Sequence, residues 1–410
     1  MNKIVGVALG VLAAIGGFVD IGDLVFSSEA GGKFGYQLIW AIVLGAIGIA
    51  VYAEMCGRVA TVTKRPVFDV IRERMGFEFG LGTLIASQLV NVMTLIAEVG
   101  GVALVLQLLA GLDYRLLVVM AVLVLVISIW LLPFEWIERV YGFGGLLLIV
   151  FAVAALHLGP DWHRMANGLV PHPQGTTNYL VLAYFAVGLF ASSMMPYEVF
   201  FYSSGAVEEG WTPESELTLN KITAIFGFGV GAFLSISIIV MSAEYFLPQG
   251  IDPNTLGTAA LGPQAILGET GLLLALLGMF FAVGGAAIDS SFAAAYNLAQ
   301  FFGWDWGKYR RPRGAPRFTL TWIVVFGLAF LILMTGVNPL YVTEFAVIFS
   351  VVAMPLTYLP LLLVARDKGY MGQYANGRLG NVLGWLYFGI ILLVALSAVP
   401  LMTLTNLGQG

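Results

Sequence analysis

Charge is scarce in this chain. Asp, Glu, Lys and Arg make up only 10% of its 410 residues, against 59% hydrophobic ones. A soluble protein of this length does not cover its surface with so few charges. The chain has one cysteine, Cys56, which excludes an internal disulfide and any Cys-based metal cluster; it reads as a small apolar filler in a helix. No basic stripe with interleaved aromatics is present, which argues against nucleic acid as a partner. A G-x-S-x-G elbow, an H-E-x-x-H pair and a G-x-x-x-x-G-K-[ST] loop are all absent, so nothing points to an enzyme or a bound cofactor.

What fills the chain instead is long apolar blocks, with a mean hydropathy of +0.91. Crossing a hydrocarbon core takes roughly 20 helical residues. Backbone groups in lipid must pair within their own segment, so these blocks read as helices. The expected spans are 4–30, 35–60, 80–109, 115–132, 137–159, 178–206, 218–247, 270–302, 317–336, 338–365 and 380–403. The first follows Lys3 as a signal peptide would. It contains Asp20 and Asp23 and lacks a clear cleavage site, so it reads as a retained span. The longer connections are 160–177 and 248–269, the latter with Pro248, Pro253 and Pro263. With the N-terminus in the cytoplasm, sixteen of the 19 Lys and Arg fall inside; Lys33, Arg115 and Arg164 fall outside. That bias predicts a multi-pass protein of the cell's inner membrane, with a cytoplasmic N-terminus and an extracytoplasmic C-terminus.

Two spans are interrupted. The first carries Asp20-Ile21-Gly22-Asp23 in a run otherwise apolar from Ile4 to Phe26, and the sixth carries Ser192 to Glu198 around Pro196. Proline removes a helical donor and clashes with the preceding turn; glycine lowers the cost of unwinding. Gly22 and Pro196 are therefore the expected hinges. The interruptions occupy corresponding places in two units of five spans, 4–159 and 178–365, with 380–403 as an additional span. Five being odd, the second unit is inverted relative to the first. Ser27-Ser28 begins seven residues after Asp20, and Ser203-Ser204 begins seven after Pro196, which supports the pairing. Paired broken helices in inverted halves point to a substrate site at the membrane centre.

The candidate site residues are Asp20, Asp23, Ser192, Met195, Tyr197 and Glu198, with Glu98 as an intramembrane proton acceptor. Asp23 and Glu198 stand where half-helices restart, where a carboxylate also caps free N–H groups. Asp20, before the restart, is harder to explain as a cap, and a carboxylate inside a membrane is costly enough to be functional by default. Asp289, Glu244 and Glu344 read as span-end groups or as partners of a neighbour. Glu54 and Arg58 have the i,i+4 spacing of a helical pair.

At these residues the chain resembles the NRAMP family of divalent-metal transporters. The segment DIGDLVFSSEAGGKFGYQLIW is similar to the family's D-P-G-N segment and the turn into span 2, and MMPYEVFFYSS to its M-P-H motif. Residues 282–304 and 354–364 resemble its spans 8 and 10. The resemblance implies an all-α membrane protein of LeuT type: an inverted repeat of 5+5 helices plus an eleventh, with helices 1 and 6 broken at the midplane. It also implies a metal bound by Asp20, Asp23 and Met195, with Asp23 standing for the family's asparagine. Ser192 stands for an alanine that offers its carbonyl, and Tyr197 for the histidine linked to proton movement. Leu95 and Glu98 stand for an acidic pair, and Val347 for a glutamine that approaches the metal. Half of the proton relay is thereby missing, because a tyrosine with a pKa of about 10 passes protons poorly near neutral pH.

Two functions follow as expectations. One is a secondary transporter of a divalent cation working by alternating access. Its oxygen-rich, negative site favours Mn²⁺ or Mg²⁺, although a thioether favours softer metals. The alternative is a relative that carries a small organic solute such as an amine or amino acid, with Tyr197 offering a ring face to a cation. A sensor or uncoupled channel is a third class, for which no large soluble regulatory domain is present. The partners expected are the lipid bilayer and a small ion or molecule; the sequence sets no oligomeric state.

Overall fold

The computed structural model describes residues 19–172 and 178–409. The first half of the expected opening span, 4–18, lies outside them. The described helices are α1 (Ile21–Phe34), α2 (Ile39–Thr63), α3 (Val67–Met75), α4 (Phe77–Ala110), α5 (Tyr114–Leu131), α6 (Phe134–Gly145), α7 (Ile149–Leu158) and α8 (Trp162–Asn167). The second half brings α9 (Tyr179–Ser192), α10 (Pro196–Glu208), α11 (Pro213–Tyr245), α12 (Leu256–Phe302), α13 (Pro316–Met334), α14 (Pro339–Arg366), α15 (Lys368–Met371) and α16 (Arg378–Leu404). Among the described residues there are no strands. Ten helical stretches there are long and apolar enough to cross a membrane, and they correspond one for one to the second through eleventh expected spans.

The helix ends follow local chemistry. Asp113, Asn178 and Asn338 cap α5, α9 and α14 through side-chain oxygens, satisfying N–H groups that have no intrahelical partner. Pro196, Pro213, Pro316 and Pro339 stand in the first turn of their helices, where a missing N–H costs nothing. Gly111 and Gly303 end α4 and α12 in left-handed conformations.

One expectation fails in the 248–269 connection. Residues 256–267 are helical, and Pro263 sits inside the helix. The chain breaks instead at Gly268, with φ +66°, a conformation glycine adopts without strain. The 256–267 arm lies against two neighbours: Gly262 against Met241 of α11, and Gly257 against Leu108 at the end of α4.

At the arginine-rich end of the bundle, between α12 and α13, the Lys308 ammonium is 2% exposed. It lies 3.3 Å from both Glu138 and Glu209 and 4.2 Å from the centre of the Phe134 ring. Glu208 accepts from the Lys308 N–H at 3.1 Å, the Tyr309 N–H at 2.9 Å and the Tyr296 hydroxyl at 2.7 Å. This cluster fastens α6, α10 and α12 to the 303–315 connection. Arg58 bonds Glu54 as its spacing predicts, and also reaches Asn376 at 2.7 Å.

Candidate functional site

The second break is seen in full: α9 stops at Ser192, α10 starts at Pro196, and 193–195 are not helical. At the first break only the restart is described. The helix resumes at Ile21, so the unwound stretch ends at Asp20, earlier than the Asp20–Asp23 segment suggested. Gly22, expected as a pivot, is inside the first helical turn. Its lack of a side chain serves packing there: a Cβ would sit 2.7 Å from Val347 of α14 and 3.6 Å from the Ser192 Cβ.

Capping falls to Asp20, where the sequence offered it only as an alternative for Asp23. Asp20 is the cap, accepting from the Asp23 N–H at 2.9 Å. Position 20 has the extended backbone that a capping residue needs, and that frees the following carboxylate for a tertiary contact. Asp23 turns across the bundle, where its Oδ1 accepts from the Ser192 hydroxyl at 2.7 Å. Its Oδ2 has no hydrogen-bond partner. One hydrogen bond thus joins the two broken helices. Ser192, identified for its carbonyl, contributes its hydroxyl here.

Glu98 of α4 closes the site from a third direction, its Oε1 accepting from the Ile21 N–H at 3.3 Å while Oε2 is unpartnered. Glu198 lies in the first turn of α10, and neither of its oxygens has a hydrogen-bond partner. It does not cap its helix, contrary to the capping alternative. Asp20, Glu98 and Glu198 all lie within electrostatic range of one another or of Asp23. Among the described residues no Lys or Arg forms an ion pair with any of the four. All four are buried.

Met195 caps α10 without a side-chain bond and packs with Tyr197, Phe200, Leu84 and Ala286 in a small apolar cluster apart from the main core. Val347 lies against Gly22 in the first turn of α1, and Leu95 is buried. Two further carboxylates are satisfied by neighbours as expected: Glu344 accepts from the Tyr184 hydroxyl at 3.3 Å, and Glu244 from that of Tyr36. Asp289, half-buried on α12, lies within reach of Glu138 and Lys308. His157 and His163 are exposed and far along the chain from either break.

Among the described residues no three His, Cys, Asp or Glu side chains gather as a metal-ligating group. A cation held here takes two carboxylates at most from the first break and completes its shell with hydroxyl, carbonyl or thioether groups. Sequence reasoning missed several buried polar residues: Ser235, beside Asp23, and Asn91 and Thr94 of α4 and Ser290 and Asn297 of α12. Their signal was available in the three- and four-residue spacing of neutral polar groups along otherwise apolar helices.

A profile of the family described as "Natural resistance-associated macrophage protein-like" matches residues 10–400. The chain is 24% identical over 394 residues to the divalent metal cation transporter MntH of Deinococcus radiodurans, covering 93% of this chain and 86% of that one. It is 26% identical over 399 residues to MntH 1 of Pseudomonas aeruginosa, covering 93% and 88%. Among solved structures, the manganese transporter of Eremococcus coleocola, in complex with an aromatic bis-isothiourea compound, aligns with a TM-score of 0.82 at 19% identity, covering 98% of this chain and 87% of that one. Mhp1, a nucleobase-cation-symport-1 family transporter, aligns at 0.60 and 16% identity, covering 96% and 92%. At such identities the structural likeness speaks for the fold.

Proposed function

The chain belongs to the Nramp family and has its multi-pass, LeuT-type helical fold, and from that premise we propose that it moves a divalent cation, Mn²⁺ or Mg²⁺, by alternating access. The observation that carries this reading is Asp23: buried, bonded across the bundle to Ser192, and left with one free oxygen. A buried carboxylate oxygen without a partner is costly, and a cation relieves that cost. Asp20 supplies the second charge from one residue before the restart. Met195 and the carbonyls of 193–195 belong to the second break, where no helical bonds must be broken to offer them.

In this reading the ion enters a site closed by the Asp23–Ser192 bond and leaves when α1 and α10 tilt at their breaks. The two inverted units, 4–159 and 178–365, provide the rocking halves, and the arginine-rich end is cytoplasmic. The 380–403 span lies outside both halves. Glu98, touching the α1 restart, is the group placed to carry a coupled proton. Tyr197 in place of a histidine and Leu95 in place of an acid leave that relay short.

The test is flux. Protein in liposomes should take up Mn²⁺ or Mg²⁺, and Asp20→Ala should abolish uptake; no flux above empty vesicles for any divalent ion would end this reading. A second reading, transport of a small organic cation, is favoured by the apolar lining at Ile21 and Val347, both buried beside the carboxylates. Amine-dependent thermal stabilisation without a divalent-ion response would select it.

A further inference from the structure

Below the two aspartates, toward the arginine-rich end, α4 and α12 meet along a seam of which the transport reading uses only Glu98. Three close approaches fix which faces meet. A Cβ at Gly101 would lie 2.6 Å from Ile21 and 3.1 Å from Val283; one at Gly80 would lie 3.1 Å from Phe301; and the Gln88 amide donates to the Ala294 carbonyl at 2.8 Å. Between Gly80 and Gly101, the same face of α4 carries Ser87, Asn91, Thr94 and Glu98 at alternating spacings of three and four. Between Val283 and Phe301, the facing stripe of α12 carries Ser290 and Asn297. Residues at these spacings share one side of a helix.

Almost nothing in this seam is satisfied. Both side-chain polar atoms of Asn91 and of Asn297, the hydroxyls of Thr94 and Ser290, and Oε2 of Glu98 have no hydrogen-bond partner. Asn91 and Thr94 are 1% exposed, and Glu98, Ser290 and Asn297 are 0% exposed. Buried polar groups are normally paired, and here five residues on facing stripes leave theirs open at once. None of the five bonds another.

We propose that this seam binds a monovalent cation of the sodium class, held by Glu98 and Thr94 of α4 and Ser290 of α12, as a site that adjoins the Asp20–Asp23 site at Glu98 and is distinct from it. The donor set offers one carboxylate and otherwise neutral oxygens. One negative charge balances a single positive one, whereas hard divalent sites draw on more carboxylates or phosphates. The orphaned amide N–H groups distinguish a partly hydrated ion from a bare one: its waters accept from Asn91 while the ion takes the oxygens. Asn297 lies seven residues beyond Ser290, roughly 10 Å further toward the arginine-rich end, and lines the approach. The ion neutralises Glu98, whose other oxygen holds the Ile21 N–H at the start of α1. Occupancy therefore steadies the restart of the first broken helix, and the inference stands whether the cargo is a metal or an amine.

The experiment uses the purified full chain in detergent, with divalent ions chelated, melted in sodium chloride and in choline chloride of equal ionic strength. Wild type should show a saturable, sodium-specific rise in unfolding temperature. Thr94→Val with Ser290→Ala should weaken the sodium midpoint by at least about tenfold, with no loss of stability in choline, because apolar groups replace unsatisfied ones. Asp20→Asn should keep the sodium response. Sodium and choline giving the same melting curve in wild type would overturn the proposal. Binding of ²²Na⁺ to wild type provides a reading that needs no variant: displacement by unlabelled Na⁺ and not by Mn²⁺ supports a separate site, and displacement by Mn²⁺ one for one refutes it.

Discussion

Two groups of acidic residues stand out in this molecule, one half-buried to exposed around Lys308 and one buried at the helix breaks, and they differ in what surrounds them. Around Lys308, Glu138 and Glu209 face an ammonium and Glu208 accepts three hydrogen bonds. At the helix breaks, Asp23, Glu98 and Glu198 keep open oxygens and have no basic partner among the described residues. The first cluster is complete within the protein, so its charges serve the fold. The second is incomplete within the protein, and the proposed cation is what would complete it. Burial alone does not mark an acid as functional, since Glu29 is buried and paired with Lys33; partnership separates the two.

The largest test of this contrast is Lys308→Met. Removing one member of a buried pair leaves the other as an uncompensated charge, a loss of about 3–5 kcal/mol. That loss comes chiefly through Glu138, because Glu209 is 36% exposed and screened by solvent. Thermal unfolding in detergent would show it, and an unchanged melting temperature would erase the distinction. Asp23→Asn should do the opposite, slowing transport by removing one charge while keeping an amide ligand, and holding or raising stability by about 1–3 kcal/mol, since an unsatisfied buried charge is gone. A marked fall in stability would mean that Asp23 belongs with the structural acids. Ser192→Ala should cost about 1 kcal/mol for one hydrogen bond and loosen the closed site, read as a faster ion-release rate.

The smallest effect is one of pH. Burial works to lower the Lys308 ammonium, but Glu138 and then Glu209 outweigh it and hold the group above its ordinary value of 10.5. A raised cationic group contributes fully below its unfolded pKa and loses that contribution only as pH rises through the folded one. Melting wild type and Lys308→Met side by side between about pH 8 and 10 should give a constant gap. A gap that closes within that window would place the ammonium in a weaker field than the geometry describes.

Much of the fold was legible because hydropathy and length set span positions directly: 115–132 was expected and Tyr114–Leu131 observed, 338–365 expected and Pro339–Arg366 observed. The arm at 256–267 was not, since proline at 263 reads as a breaker when its helical neighbours are unknown. At the site, the residue identities were legible and their duties were not. Asp20 and Asp23 differ only in where the helix resumes, and a shift of one turn exchanges cap and cross-bundle contact. The α4–α12 seam was hidden for another reason. Asn91, Thr94, Ser290 and Asn297 carry no charge and barely disturb a hydropathy profile; only the pairing of two helix faces brings them together.

The bend at Gly268 has a mechanical outcome. Drawn out straight, the 47 residues of α12 would run about 70 Å, more than twice a ~30 Å hydrocarbon layer. Folding the leading arm aside turns that surplus into a crossbar, resting on Leu108 at one point and on Met241 at another. The far tips of α4 and α11 are thereby tethered through a third element. Any rocking that parts them must first lift the bar, which makes its seating a brake on the opening of that mouth.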